Sequence, residues 1–277
     1  MPESKLCRVV LLTLLSLALW GCAQQGQRLA CRISSDPKEV GVQTRSVVLE
    51  PSAAPPEGVP LPQSLGARAC FAKWPTARAA GGFILIACSC RSSRDFYDTL
   101  YVDSDADGAL DDESPISPAG SSSHRSRFGP VEIRFPAENG PAPYDVVVTC
   151  VDYPDYKQVI VSSACWYEGT VTVGGKKTKC VLVDYDANAT FNDVAPDPKT
   201  SDRISLASSG APAPLGKYVA LGGRRYRVEP SADSASVRFT RAWRVPEGKI
   251  LVPHGITALT IAGDTGTISL RVSGRPR

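Results

Sequence analysis

The sequence predicts an all-β protein, made of antiparallel sandwich-like or open-barrel units that follow an apolar amino-terminal segment and a proline-rich linker. After residue 67, short runs rich in Val, Ile, Tyr, Phe and Thr alternate with Gly, Pro, Asp and Asn, which is typical of strands and turns. Hardly any helical period occurs there, so parallel α/β folds, which need crossover helices, are disfavoured. The 23 glycines and 23 prolines indicate many turns.

Composition limits the size of the folded part and its partners. Without an export signal and a linker, roughly 210 residues remain, enough for one large β domain or two small ones. The formal net charge of +3 is small, and the basic residues form no stripe interleaved with aromatic residues. No nucleic-acid partner is therefore expected.

The amino terminus has the composition of a bacterial export signal. Lys5 and Arg8 precede a largely apolar stretch at residues 9–20. That stretch is too short for a comfortable membrane span and has the usual length of the apolar region of a secretion signal.

Residues 19–22, Leu-Trp-Gly-Cys, resemble the bacterial lipobox, although Trp20 departs from the small residue usual at its position. The resemblance implies that residues 1–21 are a signal peptide and that Cys22 becomes lipidated, with several acyl chains that anchor the protein to a membrane. Ala23 favours a location in the cell envelope at the outer membrane or cell surface. An uncleaved anchor and an ordinary secretion signal are the alternatives.

Residues 22–66 are predicted to be a linker that holds the folded part away from the membrane, because prolines and scattered polar residues interrupt every period. Within the linker, residues 46–50 have the composition of a short strand. The remainder divides into a first β unit at 67–165 and a second at 166–277. Whether these units form one domain or two is left open by the sequence.

Apolar and β-branched runs define the predicted strands. Gly174-Gly175 supplies the positive φ that a two-residue hairpin turn requires. Residues 118–130, rich in Ser, Gly and Pro, are predicted to be a loop. The predicted strands are 83–88, 98–103, 131–135, 144–151, 157–162, 168–173, 177–184, 224–229, 236–240, 249–252, 258–262 and 267–272.

Seven cysteines remain once Cys7 in the signal and Cys22 are set aside, and they are Cys31, Cys70, Cys88, Cys90, Cys150, Cys165 and Cys180. In an oxidising compartment some should pair, and the odd number leaves at least one unpaired. No His lies near them at zinc-ligand spacing, so structural disulfides are favoured over a metal site. The pairing is not defined by the sequence.

The motif with the most chemical content is residues 103–113, where three aspartates alternate before Gly108. A turning backbone brings alternate oxygens to one point, and a calcium ion gathers about six to eight of them. The loop resembles those of EF-hands, dockerins and thrombospondin type 3 repeats, but Ser114 stands where an EF-hand has Glu. The predicted calcium ligands are Asp103, Asp105, Asp107, Ala109, Asp111, Asp112 and Glu113.

A second loop at 184–193 matches the first at a constant offset of 81 residues, and both follow an apolar strand. Ala189 replaces Gly108, and because Ala resists positive φ this loop is expected to bind calcium less well. The alternative for both loops is an acidic turn without an ion, held by bonds from side chains to the backbone. The predicted ligands here are Asp184, Asp186, Asn188 and Asp193.

Residues 81–240 as a whole loosely resemble a class of secreted bacterial β proteins without assigned activity. Besides the two acidic loops, the shared segments are 214–219 and 222–229. The resemblance supports the fold and implies no activity.

No catalytic site is expected. His124 and His254, the two histidines, stand in a Ser- and Arg-rich segment and after a Pro, and no nucleophile, zinc-protease or phosphate-loop motif occurs. The leading hypothesis is a structural or binding lipoprotein with calcium-stabilised β domains. The alternatives are a carbohydrate-active or other hydrolytic enzyme with accessory calcium, and a subunit of a surface assembly with a protein or glycan partner.

Overall fold

The computed structural model describes residues 26–242 apart from 35, 37–38, 40, 43, 92–95, 137–141, 195–198, 207–211 and 232–234. Over this part the chain is all-β, as the sequence predicts. The predicted signal, Cys22 and the three carboxyl-terminal predicted strands lie outside the described residues. No helix in the described part has the length and apolar character needed to cross a membrane.

The described chain contains 17 strands, most of them short. They are β1 (Gln27–Arg28), β2 (Ala30–Ile33), β3 (Ser46–Leu49), β4 (Arg68–Pro75), β5 (Phe83–Cys90), β6 (Thr99–Val102), β7 (Gly120–Ser122), β8 (Arg125–Phe135), β9 (Ala142–Asp152), β10 (Lys157–Ser163), β11 (Cys165–Val173), β12 (Lys176–Val183), β13 (Arg203–Ser205), β14 (Ala213–Pro214), β15 (Tyr218–Leu221), β16 (Arg224–Pro230) and β17 (Ser236–Arg241).

These strands form four antiparallel sheets with open edges. Two five-stranded sheets have the orders β3-β10-β9-β8-β7 and β14-β13-β12-β11-β2. A four-stranded sheet has the order β1-β17-β16-β15, and a three-stranded sheet the order β4-β5-β6. Because every paired neighbour is antiparallel, short turns suffice for most connections and no crossover helix is needed.

One hydrophobic core is shared by all four sheets. It includes Trp74 of β4, Tyr144 of β9, Tyr167 of β11 and Tyr226 of β16, which come from four different sheets. Trp74 and Tyr144 are fully buried and stack with ring centroids 5.8 Å apart. The residues at 67–165 and those of the second unit that the structure describes are therefore packed against each other through a common interior.

The described part of the predicted linker takes part in the sheets. β1 pairs with β17, β2 with β11 and β3 with β10. β3 confirms the short strand expected at 46–50, but β1 and β2 were not predicted. β1 and β2 are largely exposed, so their sequences lack the apolar runs that mark buried strands.

The Gly174-Gly175 hairpin is confirmed. Both glycines have positive φ, 59° and 82°, and Val173 pairs with Lys176 across the turn. This combination of angles is that of the two-residue turn whose twist matches paired strands.

The loop predicted at 118–130 is wrong, because β7 and the first half of β8 form a hairpin there. Gly129 and Pro130 lie in a β-bulge between Phe128 and Val131. Bulges accept Gly and Pro, which the regular part of a strand excludes. A side chain at residue 129 would meet the Val146 carbonyl at 2.6 Å, so the backbone of β9 also requires Gly here.

A disulfide joins Cys88 of β5 to Cys150 of β9. It connects the three-stranded sheet to a five-stranded sheet through the shared core. The expectation that some cysteines pair is confirmed by this bond.

Candidate metal centres

The first acidic loop begins where β6 ends. Asp103 is fully buried and its N–H donates to the Leu85 carbonyl of β5, so the strand pairing fixes the start of the loop. Asp103, Asp105 and Asp107 each place one carboxylate oxygen within 4.8 Å of the others. The convergence predicted for these three residues is therefore present.

The backbone of this loop turns around the Asp103 carboxylate. The N–H groups of Asp107 and Gly108 donate to its two oxygens at 3.0 and 3.1 Å. Ala106 and Gly108 have positive φ, 62° and 90°. The alternating aspartates face one point because the chain curls around the first of them.

The carboxylates that follow in the loop, those of Asp111, Asp112 and Glu113, do not join the three. Asp111 and Asp112 are exposed. Glu113 closes the loop, since its carboxylate accepts bonds from the backbone N–H and the hydroxyl of Ser104. Ala109 donates its N–H to Asp107 at 2.8 Å.

Gly108→Ala is expected to destabilise the first loop by about 1–2 kcal/mol, because an L side chain at φ +90° is strained. A Cβ at this position meets no atom within 4 Å, so the cost is conformational. Gly120→Ala is the matched control, since Gly120 also has open space but no positive φ. Equal losses of unfolding free energy in urea for the two variants would contradict the prediction.

The second loop, which begins where β12 ends, has the same conformation at matching positions. Asp184 is fully buried, and its carboxylate accepts the N–H groups of Ala187 and Ala189 at 2.7 and 2.8 Å. These residues have positive φ, 56° and 69°, as do Ala106 and Gly108 in the first loop. Ala189 thus adopts the conformation for which Gly is better suited.

Two predicted ligands of the second loop bond to each other. The Asn188 amide donates to the Asp193 carboxylate at 2.5 Å, and the Thr190 hydroxyl lies 2.7 Å from an oxygen of each. The Thr190 N–H donates to Asn188 as well. Asn188 and Asp193 stiffen the loop and are not among the carboxylates that converge.

A residue that the sequence analysis missed completes the second group. Asp184, Asp186 and Asp202 each place an oxygen within 4.8 Å of the others. Val183 pairs with Arg203 across β12 and β13, so Asp202 comes directly opposite Asp184 when the register is continued. The N–H groups of Tyr185 and Asp193 hold the buried Asp202 carboxylate at 3.1 and 2.7 Å.

The electrostatics of both groups favour a cation. Burial, with the neighbouring Asp184, raises the pKa of Asp202 to about 9. Burial raises the pKa of Asp184 to about 7 despite the hydrogen bond from Tyr144, and that of Asp103 to about 6 despite its two backbone donors. The buried Oδ1 of Asp186 accepts no hydrogen bond from a described residue. The buried Asp184 and Asp202 lose their protons more readily when a positive charge lies between them.

Residues from the first half of the chain bond to the second loop and pack against it. The Trp74 indole N–H donates to the Ala187 carbonyl at 2.8 Å, and Arg78 donates to the Ala189 carbonyl at 3.1 Å. Phe191 at the end of the loop packs edge-to-face on Tyr144 and Tyr167, with centroids 5.8 and 5.0 Å away. The positions of the carboxylates are therefore set by packing as well as by the loop itself.

Oxygen is the ligand element in both groups. Three converging carboxylates are a donor set that suits hard divalent cations, with water and backbone carbonyls able to fill the remaining positions. No protein-family model matches this chain, and neither a curated protein nor a solved structure matches it.

Proposed function

We propose that this protein is a lipid-anchored β protein of the bacterial cell envelope, whose two acidic loops bind calcium and thereby stabilise the fold for a structural or binding role. The observation that carries the proposal is the convergence of three carboxylates at each of two strand ends, with Asp103, Asp184 and Asp202 buried. Buried acids on a turn are costly in the ion-free protein, and a divalent ion supplies the missing charge.

The envelope location is supported by two features of the chain. Residues 19–22 resemble a lipobox after a short apolar stretch. The Cys88–Cys150 disulfide is typical of an oxidising compartment. Together they favour a mature chain that begins at Cys22 and folds after export.

Cys22→Ser is expected to abolish membrane attachment while leaving the fold intact, because the substitution removes the sulfur that would carry lipid. Intact mass of protein extracted from bacterial membranes, compared with the soluble fraction, measures this directly. The parent should carry acyl chains on a chain starting at residue 22. Parent protein that retains residues 1–21, or that lacks lipid, would exclude the proposed anchor.

The stabilisation by calcium is expected to grow with pH. In the ion-free protein the folded-state pKa values of Asp184 and Asp202 lie above those of the unfolded chain, so the folded state holds protons more tightly. The stability that these protons give is present at low pH and is lost as the pH rises through about 7 to about 9. Calcium binds the ionised carboxylates, so it restores more stability at high pH.

Thermal melts with chelator or with millimolar calcium, at about pH 6 and about pH 9, measure this pH dependence. The calcium-induced rise in Tm should be larger at the higher pH. Asp202→Asn is the control, because it removes the group with the highest raised pKa and should flatten the dependence. A calcium effect that is independent of pH in the parent would argue against binding at the buried carboxylates.

A further inference from the structure

Cys31 and Cys165 are close neighbours on paired strands. In the antiparallel pair of β2 and β11, Cys31 lies opposite Tyr167 and Cys165 lies opposite Ile33, so the two cysteines are diagonal neighbours. Their Sγ atoms lie within 4.8 Å of each other. Both are thiols in this structure.

The surroundings of the two thiols differ. Cys31 is partly exposed, and a hydrogen bond from Cys165 lowers the pKa of the Cys31 thiol. Cys165 is buried, and its Sγ accepts the Asp145 N–H at 3.4 Å. Solvent and an oxidant therefore reach the Cys31 sulfur first. Cys165 is placed to attack a mixed disulfide that forms on Cys31.

We propose that Cys31 and Cys165 form a second disulfide, which holds the edge strand β2 on its sheet. The Cys31 thiolate attacks a protein disulfide of the thiol-oxidase class and expels one of its thiolates, giving a mixed disulfide. Cys165 then loses its proton to solvent and attacks the Cys31 sulfur, expelling the second thiolate. Two thiols are oxidised, and the oxidant disulfide is reduced to a dithiol.

The strand β2 needs such a bond because few other contacts hold it. It has four residues, three of them exposed, and it pairs on one side with β11. The ion pair of Arg32 with Glu168, at 3.0 Å, is largely solvated on the Arg32 side and contributes little. Edge strands with few buried contacts open easily, and a covalent link prevents the opening.

A disulfide fits this place better than a metal bound by two thiolates. The Asp145 carboxylate lies beside both sulfurs, is buried, and has one oxygen without a hydrogen bond from a described residue. Two thiolates beside this carboxylate would need a bound cation to balance their charge, whereas a disulfide is neutral and needs none. The Cys88–Cys150 bond shows that the same chain carries a disulfide elsewhere. Formation of the bond rests on the proposed export to an oxidising compartment, but needs neither calcium nor the lipid anchor.

Peptide mapping of the full chain, exported by a bacterial host, tests the bond. The protein is quenched in acid, unfolded in denaturant so that the buried thiols can react, alkylated without reductant and digested. We expect a linked pair of peptides containing residues 31 and 165, lighter by two hydrogens than the separate peptides, with Cys180 alkylated as the internal control for a thiol. Alkylation of both Cys31 and Cys165 would overturn the proposal, and so would one zinc ion per chain that Cys31→Ser removes.

Limited proteolysis tests the effect on β2. Cys31→Ser should increase the rate of tryptic cleavage at Arg32 at least tenfold, and Cys180→Ser, which alters a buried cysteine outside the pair, should not. The fold of both variants is checked by circular dichroism. Equal cleavage rates in Cys31→Ser and the parent would overturn the stated role of the bond. Peptide mapping of the parent protein tests the bond even if a variant does not fold.

Discussion

Removal of calcium is expected to lower the Tm of the folded protein by about 5–10 °C. With free calcium at about ten times Kd, each site adds RT ln(1 + [L]/Kd), or about 1.4 kcal/mol, and two independent sites about 2.8 kcal/mol. For a protein of this size, 1 kcal/mol corresponds to roughly 2–4 °C in Tm. Scanning calorimetry in calcium and in excess chelator measures the difference, and isothermal titration should give two ions per chain.

Three variants connect this effect to the carboxylates. Asp103→Asn and Asp202→Asn should each remove about half of the calcium-induced rise in Tm, because each leaves one of the two groups intact. Asp111→Asn removes an exposed carboxylate of the first loop that lies outside the group, and should leave the rise unchanged.

Asp202→Asn also separates loss of the ion from damage to the fold. Without calcium the difference in Tm between this variant and the parent measures the cost to the fold alone, because the amide can accept only one of the two N–H groups that the Asp202 oxygens accept. With calcium the variant should fall further below the parent, by about the stabilisation that one ion contributes. Parent protein whose Tm is the same in calcium and in chelator would end the calcium proposal for both loops.

Trp74→Ala is expected to cost about 3–5 kcal/mol of unfolding free energy, the largest loss among the substitutions considered. Trp74 is fully buried and contacts the rings of Tyr144 and Phe135, with centroids 5.8 and 6.5 Å away. Its replacement leaves a cavity in the core that all four sheets share. Urea unfolding followed by circular dichroism gives the free-energy difference.

Trp74→Phe separates packing from the hydrogen bond to the second loop. Phe keeps an aromatic ring but has no donor for the Ala187 carbonyl, so we expect a smaller loss, about 1–3 kcal/mol. In an Asp103→Asn background, which leaves the second loop as the remaining site, Trp74→Phe should also weaken calcium binding. Unchanged affinity there would show that the indole N–H does not position the loop.

Most strands with a continuous apolar run were predictable, but β4, which buries Phe71 and Trp74, was missed. β5, β9 and β12 have apolar runs and were expected close to their observed bounds. The predicted strand begins only at residue 131, because Gly129 and Pro130 are residues that usually end a strand. In the structure these two residues lie in a bulge within β8, which only the pairing with β9 shows. β1 and β2 were missed since an edge strand needs little apolar surface.

The candidate sites were predictable as far as they are local in sequence. Alternating aspartates identified Asp103, Asp105 and Asp107, and the offset of 81 residues identified Asp184 and Asp186. Asp202 carries no such signal, because it reaches the group through the register of β12 with β13. Asp111 and Asp112 also satisfy the pattern, but they are exposed and lie outside the group of three.

If Cys22 carries lipid, the early start of β1 limits the distance between the folded body and the membrane. β1 begins at Gln27, five residues after Cys22, and five extended residues span at most about 18 Å. A chain attached to lipid at Cys22 would therefore keep the sheet that contains β1 within the depth of a few water layers and headgroups above the bilayer. In that arrangement the folded part would lie close to the lipid surface, and would extend neither across the periplasm nor beyond the cell wall.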